Sequence, residues 1–357
     1  MWAKSLTTWY QNNQRNLPWR ETPTPYHTLI CEFMAQQTQI NTLIPYYLRW
    51  LEKYPKIEDV AKASEDDILK SWEGLGYYSR ARNLHKTCQL IVNNHKGNVP
   101  KDPAELITLP GVGPYIAAAV ASIAHNVPIA VVDGNVLRVI TRLYGLSDDI
   151  GKEKTKTNIQ KRLNQLIKTT DTNKFNQGIM ELGALICTPK NPKCNDCPIG
   201  NMCYAKNMDQ VDKFPVKQKK APIPHHTIVV GIIKRNDGKL LITKRKKDQL
   251  LGGLWEFPGG KVKESETLDA ATLREIKEEV NLDVTIDGFL CKVKHAYSHF
   301  KITLHAYLCS TKNDNPLKCS SADEFKWVSP KELNKFAFPK ANKVIIDHLI
   351  QSLHKQP

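Results

Sequence analysis

Residues 109–115 read Leu-Pro-Gly-Val-Gly-Pro-Tyr and separate two stretches of helical periodicity. The two glycines, Gly111 and Gly113, let the backbone turn tightly and expose its N–H groups. Pro114 suits the first turn of a following helix, and the N–H groups at a helix N-terminus attract anions. The pattern predicts two helices joined by a tight glycine turn over about residues 106–125, although such a turn is more often a plain connection.

Composition points to a folded protein with a polyanionic partner. The chain has 357 residues, of which 41% are hydrophobic and 24% charged, and this suits about two domains. The formal net charge of +15 favours DNA, RNA or acidic lipid as a partner. No apolar run approaches the ~18 residues of a spanning helix, and the first residues lack a signal-peptide pattern. We therefore expect a cytoplasmic protein.

The composition and the hydrophobic pattern of the sequence change near residue 206. Residues 1–206 show the three- and four-residue spacing of amphipathic helices, and residues 207–225 are polar and rich in lysine and proline, as in a linker. From residue 226 onward apolar runs flank an Asp237-Gly238 turn, a strong hairpin signal, and one helix follows near Leu268–Val280. The prediction is an all-α domain, a linker and an α+β domain over residues 226–357.

Four cysteines, Cys187, Cys194, Cys197 and Cys203, lie within 17 residues of one another in the helical half. Four thiolates can surround one metal centre, and clusters of the [4Fe–4S] type are held in this way. Structural zinc sites more often use two separated C-x2-C pairs, whereas this segment has one pair with an outlier on each side. The spacing favours a [4Fe–4S] cluster and leaves zinc as the alternative.

The glycine turn, Asp133 and the cysteine segment, in this order, resemble the helix-hairpin-helix DNA glycosylases related to endonuclease III. Three further stretches, Leu17–Arg20, Glu32–Gln39 and Gly74–Arg80, are similar to those of the MutY family of adenine DNA glycosylases. The resemblance covers nearly the whole chain. It implies an enzyme that removes adenine from double-stranded DNA in which adenine is opposite 8-oxoguanine or guanine, acting as a nucleoid-associated monomer without a membrane partner.

Two carboxylates carry the expected chemistry, because a glycosidic bond breaks when the leaving base is protonated and the cationic sugar is stabilised. By resemblance Glu32 is the general acid, and its apolar neighbours favour the neutral form. Asp133 would stabilise the sugar cation, with Asn135 orienting it. Tyr115 replaces the lysine with which related enzymes form a Schiff base, so we expect base removal without strand cleavage. Read without the family, Glu32 is a surface glutamate and Asp133 a turn residue.

The resemblance also implies a set of DNA contacts. Leu17, Trp19 and Arg20 would line the adenine pocket, although core packing explains the first two equally well. Gln37 and Tyr77 match positions that probe the base stack, and the amide of Gln177 could read the adenine edge or lie exposed on a helix. Phosphate or base contacts are therefore expected from Leu17, Trp19, Arg20, Gln37, Tyr77, Gly111, Gly113 and Gln177.

The C-terminal half is similar to the Nudix-like domain of the MutY family, which reads the base opposite the adenine. Tyr297, Ser298 and His299 match the recognition loop, with tyrosine where the family has phenylalanine. An ordinary polar loop is the alternative. Ser298 could donate a hydrogen bond to the oxidised guanine.

The helix near residue 275 matches the Nudix signature at almost every position, with Asn281 where the signature has glycine. Glu275, Glu278 and Glu279 share one helical face and could bind Mg²⁺. Three hypotheses stay open: carboxylates paired with lysine and arginine, a metal site without turnover, or nucleotide hydrolysis. For the whole chain the alternatives to a glycosylase are a Nudix-type nucleotide hydrolase and a non-catalytic iron–sulfur DNA-binding protein.

Overall fold

The structure is a computed structural model that describes residues 2–218, 222–297, 299–311 and 322–353. The chain divides into two compact units, and each is discontinuous in sequence. The first unit comprises Met1–Lys62 and Asn83–Lys220, and the second comprises Ala63–Arg82 and Ala221–Pro357. The residues from Ala63 to Arg82 therefore group with the C-terminal residues. The expected boundary, placed in the linker alone, does not account for this segment, because its contacts are made with residues far away in sequence.

The α-helices in chain order are α1 (Trp2–Asn13), α2 (Pro18–Glu21), α3 (Pro25–Ala35), α4 (Ile40–Lys53), α5 (Ile57–Lys62), α6 (Glu65–Trp72), α7 (Ser79–His95), α8 (Pro103–Leu106), α9 (Pro114–Ala119), α10 (Gly134–Tyr144), α11 (Glu153–Ile167), α12 (Thr172–Leu185), α13 (Tyr204–Asn207), α14 (Leu268–Val280) and α15 (Lys340–Leu353). A π-helical stretch, Val120–Ala124, extends α9. Short 3-10 turns span Cys194–Asp196, Gly200–Met202, Val211–Lys213 and Pro330–Lys335.

The first unit is helical, as its amphipathic periodicity predicts. Its core packs α1, α10, α11 and α12 together through fully buried side chains, among them Leu6, Ile140 and Phe175. Helix α10 ends at Gly145, whose φ of 66° is left-handed and closes the helix with a bond from its N–H to Thr141.

The predicted glycine turn lies between α8 and α9. Gly111 has a φ of 76°, and a Cβ atom there would lie 2.7 Å from the Cβ of Asn83, so both conformation and space exclude a side chain. Gly113 caps α9, and Pro114 occupies the first position of that helix, as predicted.

The second unit contains a mixed β-sheet. Its described strands are β1 (His225–Lys234), β2 (Leu240–Arg245), β3 (Trp255–Glu256), β4 (Gly259–Lys261), β5 (Thr285–Ala296), β6 (Lys301–Ser310) and β7 (Ala322–Val328). The strand order is β3-β2-β1-β6-β5, with β4 paired to β1 and β7 paired to β2. Strands β1 and β6 are parallel, and the other pairs are antiparallel.

Alternation along β1 builds a core on each face of the sheet. Val229 and Ile233 pack with Ile276 of α14, whereas Val230 and Ile232 belong to the core that includes Ile345 of α15. This is the two-residue period of a strand buried on both faces. The predicted Asp237-Gly238 turn and the helix Leu268–Val280 are confirmed, and that helix ends at Asn281 in the left-handed conformation with a φ of 57°.

Part of the predicted linker packs within the first unit. Phe214 is buried, and its carbonyl oxygen accepts a 3.1 Å bond from Arg142 of the first unit. The N–H of Ile150 donates to the carbonyl of Val216 at 3.0 Å. The ring of Phe214 explains this contact, because it is buried and packs edge-on against Tyr204 with ring centroids 6.2 Å apart. Among the helices of the described residues, none has the length and apolar character needed to cross a membrane.

Candidate active site

A cavity of about 780 Å³ in the first unit brings together most of the predicted catalytic and adenine-pocket residues. The predicted residues that line it are Leu17, Trp19, Arg20, Glu32, Tyr115, Asp133, Asn135 and Gln177. Its walls come from α2 and the residue before it, from α3, α9 and the start of α10, and from α12. These residues are up to 160 positions apart in sequence, so only the fold assembles them.

Glu32 lies on α3 with 7% of its surface exposed. Burial raises the pKa of its carboxyl group to about 7; the Tyr115 hydroxyl opposes this by hydrogen bonding, and the Asp133 charge adds to it. Among the described residues its Oε2 atom has no hydrogen-bond partner. The carboxyl group therefore keeps its proton to much higher pH than an exposed glutamate does, and it has an oxygen available to a bound substrate. This is the state that a general acid needs.

Asp133 precedes α10 and caps it. Its Oδ1 accepts the N–H of Val136 at 2.7 Å, and its Oδ2 accepts Nδ2 of Asn135 at 2.8 Å. Burial raises the pKa of Asp133, while these bonds and the Arg138 charge act in the opposite direction. The hydrogen bonds fix the carboxylate rigidly at the cavity wall. The side-chain amide of Asn135 thus contacts the carboxylate that the resemblance implies it would orient.

Asn135 is itself held by Arg138, one turn further along α10. The Nη2 atom of Arg138 donates to Oδ1 of Asn135 and to the carbonyl of Gly183, each at 2.8 Å, and its Nε donates to the carbonyl of Cys187 at 2.7 Å. A continuous chain of hydrogen bonds therefore runs from the candidate catalytic aspartate to the first residue of the cysteine segment.

A buried ion-pair group on the cavity wall was not anticipated from the sequence. Glu181 binds Nη2 of Arg15 at 2.8 Å and Nη2 of Arg20 at 3.1 Å, and its side chain is 1% exposed. Burial raises its pKa, but the bonds from the two arginines outweigh burial and leave the pKa at about 2. The available signal was spacing, because Gln177 and Glu181 are four residues apart and share one face of α12.

The side-chain amide of Gln177 is hydrogen-bonded to other side chains of the protein. Its Oε1 accepts from Nε of Arg20 and from the Tyr10 hydroxyl, each at 3.0 Å, and its Nε2 donates to Asn173 at 2.6 Å. One Nε2 proton is left over from these bonds. Trp19 packs edge-on against Tyr47, with ring centroids 5.4 Å apart.

Gln37, Gly111 and Gly113 belong to the first unit but do not line this cavity. Gln37 has a positive φ of 56° just after the end of α3, a conformation that costs energy for a residue other than glycine. Gly113 has open space around its Cβ position.

The four clustered cysteines line one small cavity with Arg142 and Lys206. Arg142 donates from Nη1 to Cys187 Sγ at 3.4 Å and to the carbonyl of Thr188 at 2.7 Å. The described residues contain no set of three or more ligands close enough for a single metal ion. Four thiols around one shared space, with two cationic side chains beside them, are a donor set that fits an iron–sulfur cluster.

A second cavity, of about 670 Å³, lies in the second unit and brings two residues of the predicted recognition loop together with Tyr77, which was predicted to probe the base stack. Tyr77, Tyr297 and His299 line it, whereas Ser298 lies outside the described residues. Tyr297 stacks on Phe300 with centroids 4.8 Å apart, and its N–H donates to the carbonyl of Phe300 at 2.8 Å. Tyr297 and Phe300 therefore contact each other across the turn between β5 and β6.

The acidic residues of α14 make contacts within the protein. Arg274 pairs with Glu275 at 2.8 Å and with Glu278 at 3.1 Å, and it also binds Glu266 at 2.7 Å. Glu279 accepts the N–H of Gly259 at 2.9 Å. The contacts of Glu275 and Glu278 match the first of the three hypotheses, in which the carboxylates are paired with lysine or arginine.

Comparison with known proteins finds a matching family model for each half of the chain. A model of the HhH-GPD superfamily base excision DNA repair proteins matches residues 30–165, and a NUDIX domain model matches residues 229–348. An adenine DNA glycosylase of Buchnera aphidicola subsp. Schizaphis graminum (strain Sg) is 35% identical over 311 residues, which cover 85% of this chain and 86% of the relative. An adenine DNA glycosylase of Rattus norvegicus is 31% identical over 396 residues, which cover 96% of this chain and 76% of the relative. The chain belongs to the adenine DNA glycosylase family.

Solved structures related to this family agree with the helical half. The structure of a thermostable thymine-DNA glycosylase is 29% identical with a TM-score of 0.53, and it covers 58% of this chain and 95% of its own. The structure of a non-covalent complex of endonuclease III with DNA is 25% identical with a TM-score of 0.51. The match covers 58% of this chain and 94% of the endonuclease III chain. A base excision repair glycosylase with a C-terminal Nudix domain is therefore confirmed, and the nucleotide-hydrolase and non-catalytic alternatives are not favoured.

Proposed function

We propose that this member of the adenine DNA glycosylase family removes adenine from double-stranded DNA where the adenine is opposite 8-oxoguanine or guanine. The observation that carries the proposal is the pairing of Glu32 and Asp133 at one cavity. One is a buried carboxyl group with a pKa of about 7, and the other is a carboxylate held by hydrogen bonds. The base must leave the duplex to enter this cavity, since its glycosidic bond is inaccessible in the stack.

In the proposed reaction Glu32 donates its proton to N7 of adenine. The bond between C1′ of the sugar and N9 then breaks, and its electron pair leaves with the base. Asp133 stabilises the positive charge that develops on the sugar, because its carboxylate is already oriented and partly shielded from water. Water adds to C1′, and its proton passes to the Glu32 carboxylate, which restores the acid.

Base removal in this scheme is monofunctional. Tyr115 stands where related bifunctional enzymes have a lysine, and a phenol cannot form a Schiff base with the sugar. Burial, together with the charges of Glu32 and Asp133, holds the pKa of Tyr115 well above its usual range, so the hydroxyl stays protonated. Its role is to donate a hydrogen bond to Glu32.

The cavity of Tyr77, Tyr297 and His299 is proposed to receive the base opposite the adenine. Aromatic rings offer a stacking surface, and polar groups on the loop can bind the edge of an oxidised purine. The net charge of +15 supports binding to the phosphate backbone.

Cys187, Cys194, Cys197 and Cys203 would hold a [4Fe–4S] cluster. When bound, the cluster cross-links a segment that contains only short 3-10 turns and little apolar core of its own. Cys197→Ser should lose iron and the visible absorption of the cluster. Cys88→Ser, a matched change at a buried cysteine outside the segment, should keep both. Equal iron content in the two variants would contradict this assignment.

The decisive experiment is a single-turnover assay on duplexes with one adenine opposite 8-oxoguanine, guanine or thymine. We expect the adenine strand to break only after alkali, fastest opposite 8-oxoguanine and not at all opposite thymine. Borohydride should fail to trap the protein on DNA. No abasic product from iron-loaded protein would overturn the proposed activity, and efficient trapping would overturn its monofunctional character.

A further inference from the structure

Glu73 directly follows α6 and collects hydrogen bonds from three separate elements. Its Oε1 accepts the N–H of Phe338 at 2.9 Å, and its Oε2 accepts Nζ of Lys70 at 2.8 Å and Nζ of Lys343 at 2.9 Å. The side chain is 8% exposed. Burial raises its pKa, but the three donors outweigh burial and lower it, so the group is a carboxylate at neutral pH.

The same two segments are joined at further points. Nζ of Lys70 also donates to the carbonyl of Phe336 at 2.9 Å. The Tyr78 hydroxyl accepts the N–H of Gly74 at 3.1 Å and donates to the carbonyl of Phe338 at 3.4 Å. Residues 74–78 and residues 336–338 are thereby held in one fixed arrangement behind Glu73.

The first segment lines the 670 Å³ cavity, and the second leads directly into residues that line it. Gly74, Gly76 and Tyr77 form part of its lining, and so do Pro339 and Lys340, which directly follow Phe338. Glu73 does not line the cavity. It links the turn that carries Tyr77 to the segment that leads into Pro339 and Lys340, which line the same cavity as Tyr297 and Phe300.

Other acidic residues of the Ala63–Arg82 segment differ from Glu73. Asp66 pairs with Lys244 at 2.8 Å, but its side chain is 52% exposed. Glu65 pairs with Lys247, which is 64% exposed. Exposed pairs contribute little, whereas loss of a buried acceptor leaves its donors unpaired at a larger cost.

We propose that Glu73 is a positioning residue that determines specificity for the base opposite the adenine. By holding residues 74–78 against residues 336–338, it keeps the two walls of the cavity at the separation that a purine requires. This inference rests on the proposed function of that cavity. It predicts that weakening the bonds of Glu73 lowers discrimination between opposite bases without removing the chemistry at Glu32.

The test compares single-turnover rates on adenine opposite 8-oxoguanine and opposite guanine, at saturating enzyme. In Glu73→Gln the ratio of the two rates should fall about tenfold, because two charged donors lose their carboxylate. Asp66→Asn is the matched control, since it also removes an acid–lysine pair of the same segment. It should leave the ratio at the wild-type value.

Lys343 offers a second variant pair that does not depend on the stability of Glu73→Gln, because its side chain is 47% exposed. Lys343→Met should lower the ratio of the rate opposite 8-oxoguanine to the rate opposite guanine. Lys343→Arg, which keeps a charged donor, should keep that ratio at the wild-type value. A purely structural role would lower the melting temperature and leave the ratio unchanged. If the wild-type enzyme shows no preference for 8-oxoguanine, the proposed function of the cavity fails. If it shows the preference and both Glu73→Gln and Lys343→Met retain it, the inference about Glu73 is overturned.

Discussion

Asn135 lies between the candidate catalytic Asp133 and Gly183 of α12. Its Nδ2 donates to Asp133 at 2.8 Å, and a Cβ atom added at Gly183 would lie 2.6 Å from the Cβ of Asn135. Helices α10 and α12 therefore approach so closely that only glycine fits at this crossing. The position of the carboxylate is coupled to that approach, because Asn135 contacts Gly183 on one side and donates a hydrogen bond to Asp133 on the other.

Gly183→Ala tests this relationship. The added methyl group must push Asn135 away, so Asp133 loses its bond or its orientation. We expect the single-turnover rate to fall between about ten- and a hundredfold, as small displacements in active sites do. Gly288→Ala, where the Cβ would meet open space, should match wild type. A wild-type rate in Gly183→Ala would show that the crossing does not position the aspartate.

Glu32→Gln removes the proposed proton donor. We expect the rate of adenine release to fall at least about a hundredfold, within the usual contribution of general acid catalysis. Binding of the intact duplex, measured by fluorescence anisotropy, should change little, because the amide has nearly the same shape. A variant that retains most of its rate would remove Glu32 from the mechanism.

Tyr115→Phe should shift the pH dependence of the reaction. The Tyr115 hydroxyl bonds to Glu32 and lowers its pKa, so its removal raises the pKa of the carboxyl group further. Glu32 must be protonated to act as an acid, and the alkaline limb of the rate profile should move to higher pH. An unchanged limb, or a shift to lower pH, would contradict this assignment of the limb.

The stability of the protein should also depend on Glu32. Its pKa in the folded protein is about 7, against an ordinary value of 4.5. A raised carboxyl pKa contributes stability below pH 4.5 that is lost as pH rises through 7, at most about 3 kcal/mol. Glu32→Gln avoids this loss. Its melting temperature should exceed that of wild type at pH 8, and the difference should shrink toward pH 5.

Magnesium should not stabilise the Nudix-like domain. Arg274 already neutralises Glu275 and Glu278, so an ion would have to displace a guanidinium group bonded at four oxygen atoms of three carboxylates. We expect an excess of Mg²⁺ to leave the melting temperature unchanged. A clear rise in wild type that disappears in Glu278→Gln would instead indicate a metal site on this face.

Local features of the fold were predictable from short stretches of sequence. Ser64 caps α6 by accepting the N–H of Asp67, and Asn281 ends α14 in the left-handed conformation. Each depends on residues within four positions of one another. Capping and turn preferences act over such distances, so the chain around them hardly matters.

Long-range groupings were not predictable in the same way. The pairing of Arg15 with Glu181 spans 166 positions, and the bond from Phe338 to Glu73 spans 265. Arginine and glutamate are common on helix surfaces, so nothing in their spacing marks these as buried partners. The grouping of residues 63–82 with the C-terminal half was missed for the same reason.

The sequence by itself determined the helical and α+β halves, the cysteine set and the family, because each is carried by periodicity or by motifs of adjacent residues. Tertiary structure alone decided that Glu32 is buried beside Asp133 and Tyr115 and therefore has a pKa near neutrality. It also decided that Glu73 meets three donors. Desolvation and ion pairing depend on atoms supplied by distant segments, and those atoms come together only when the chain folds.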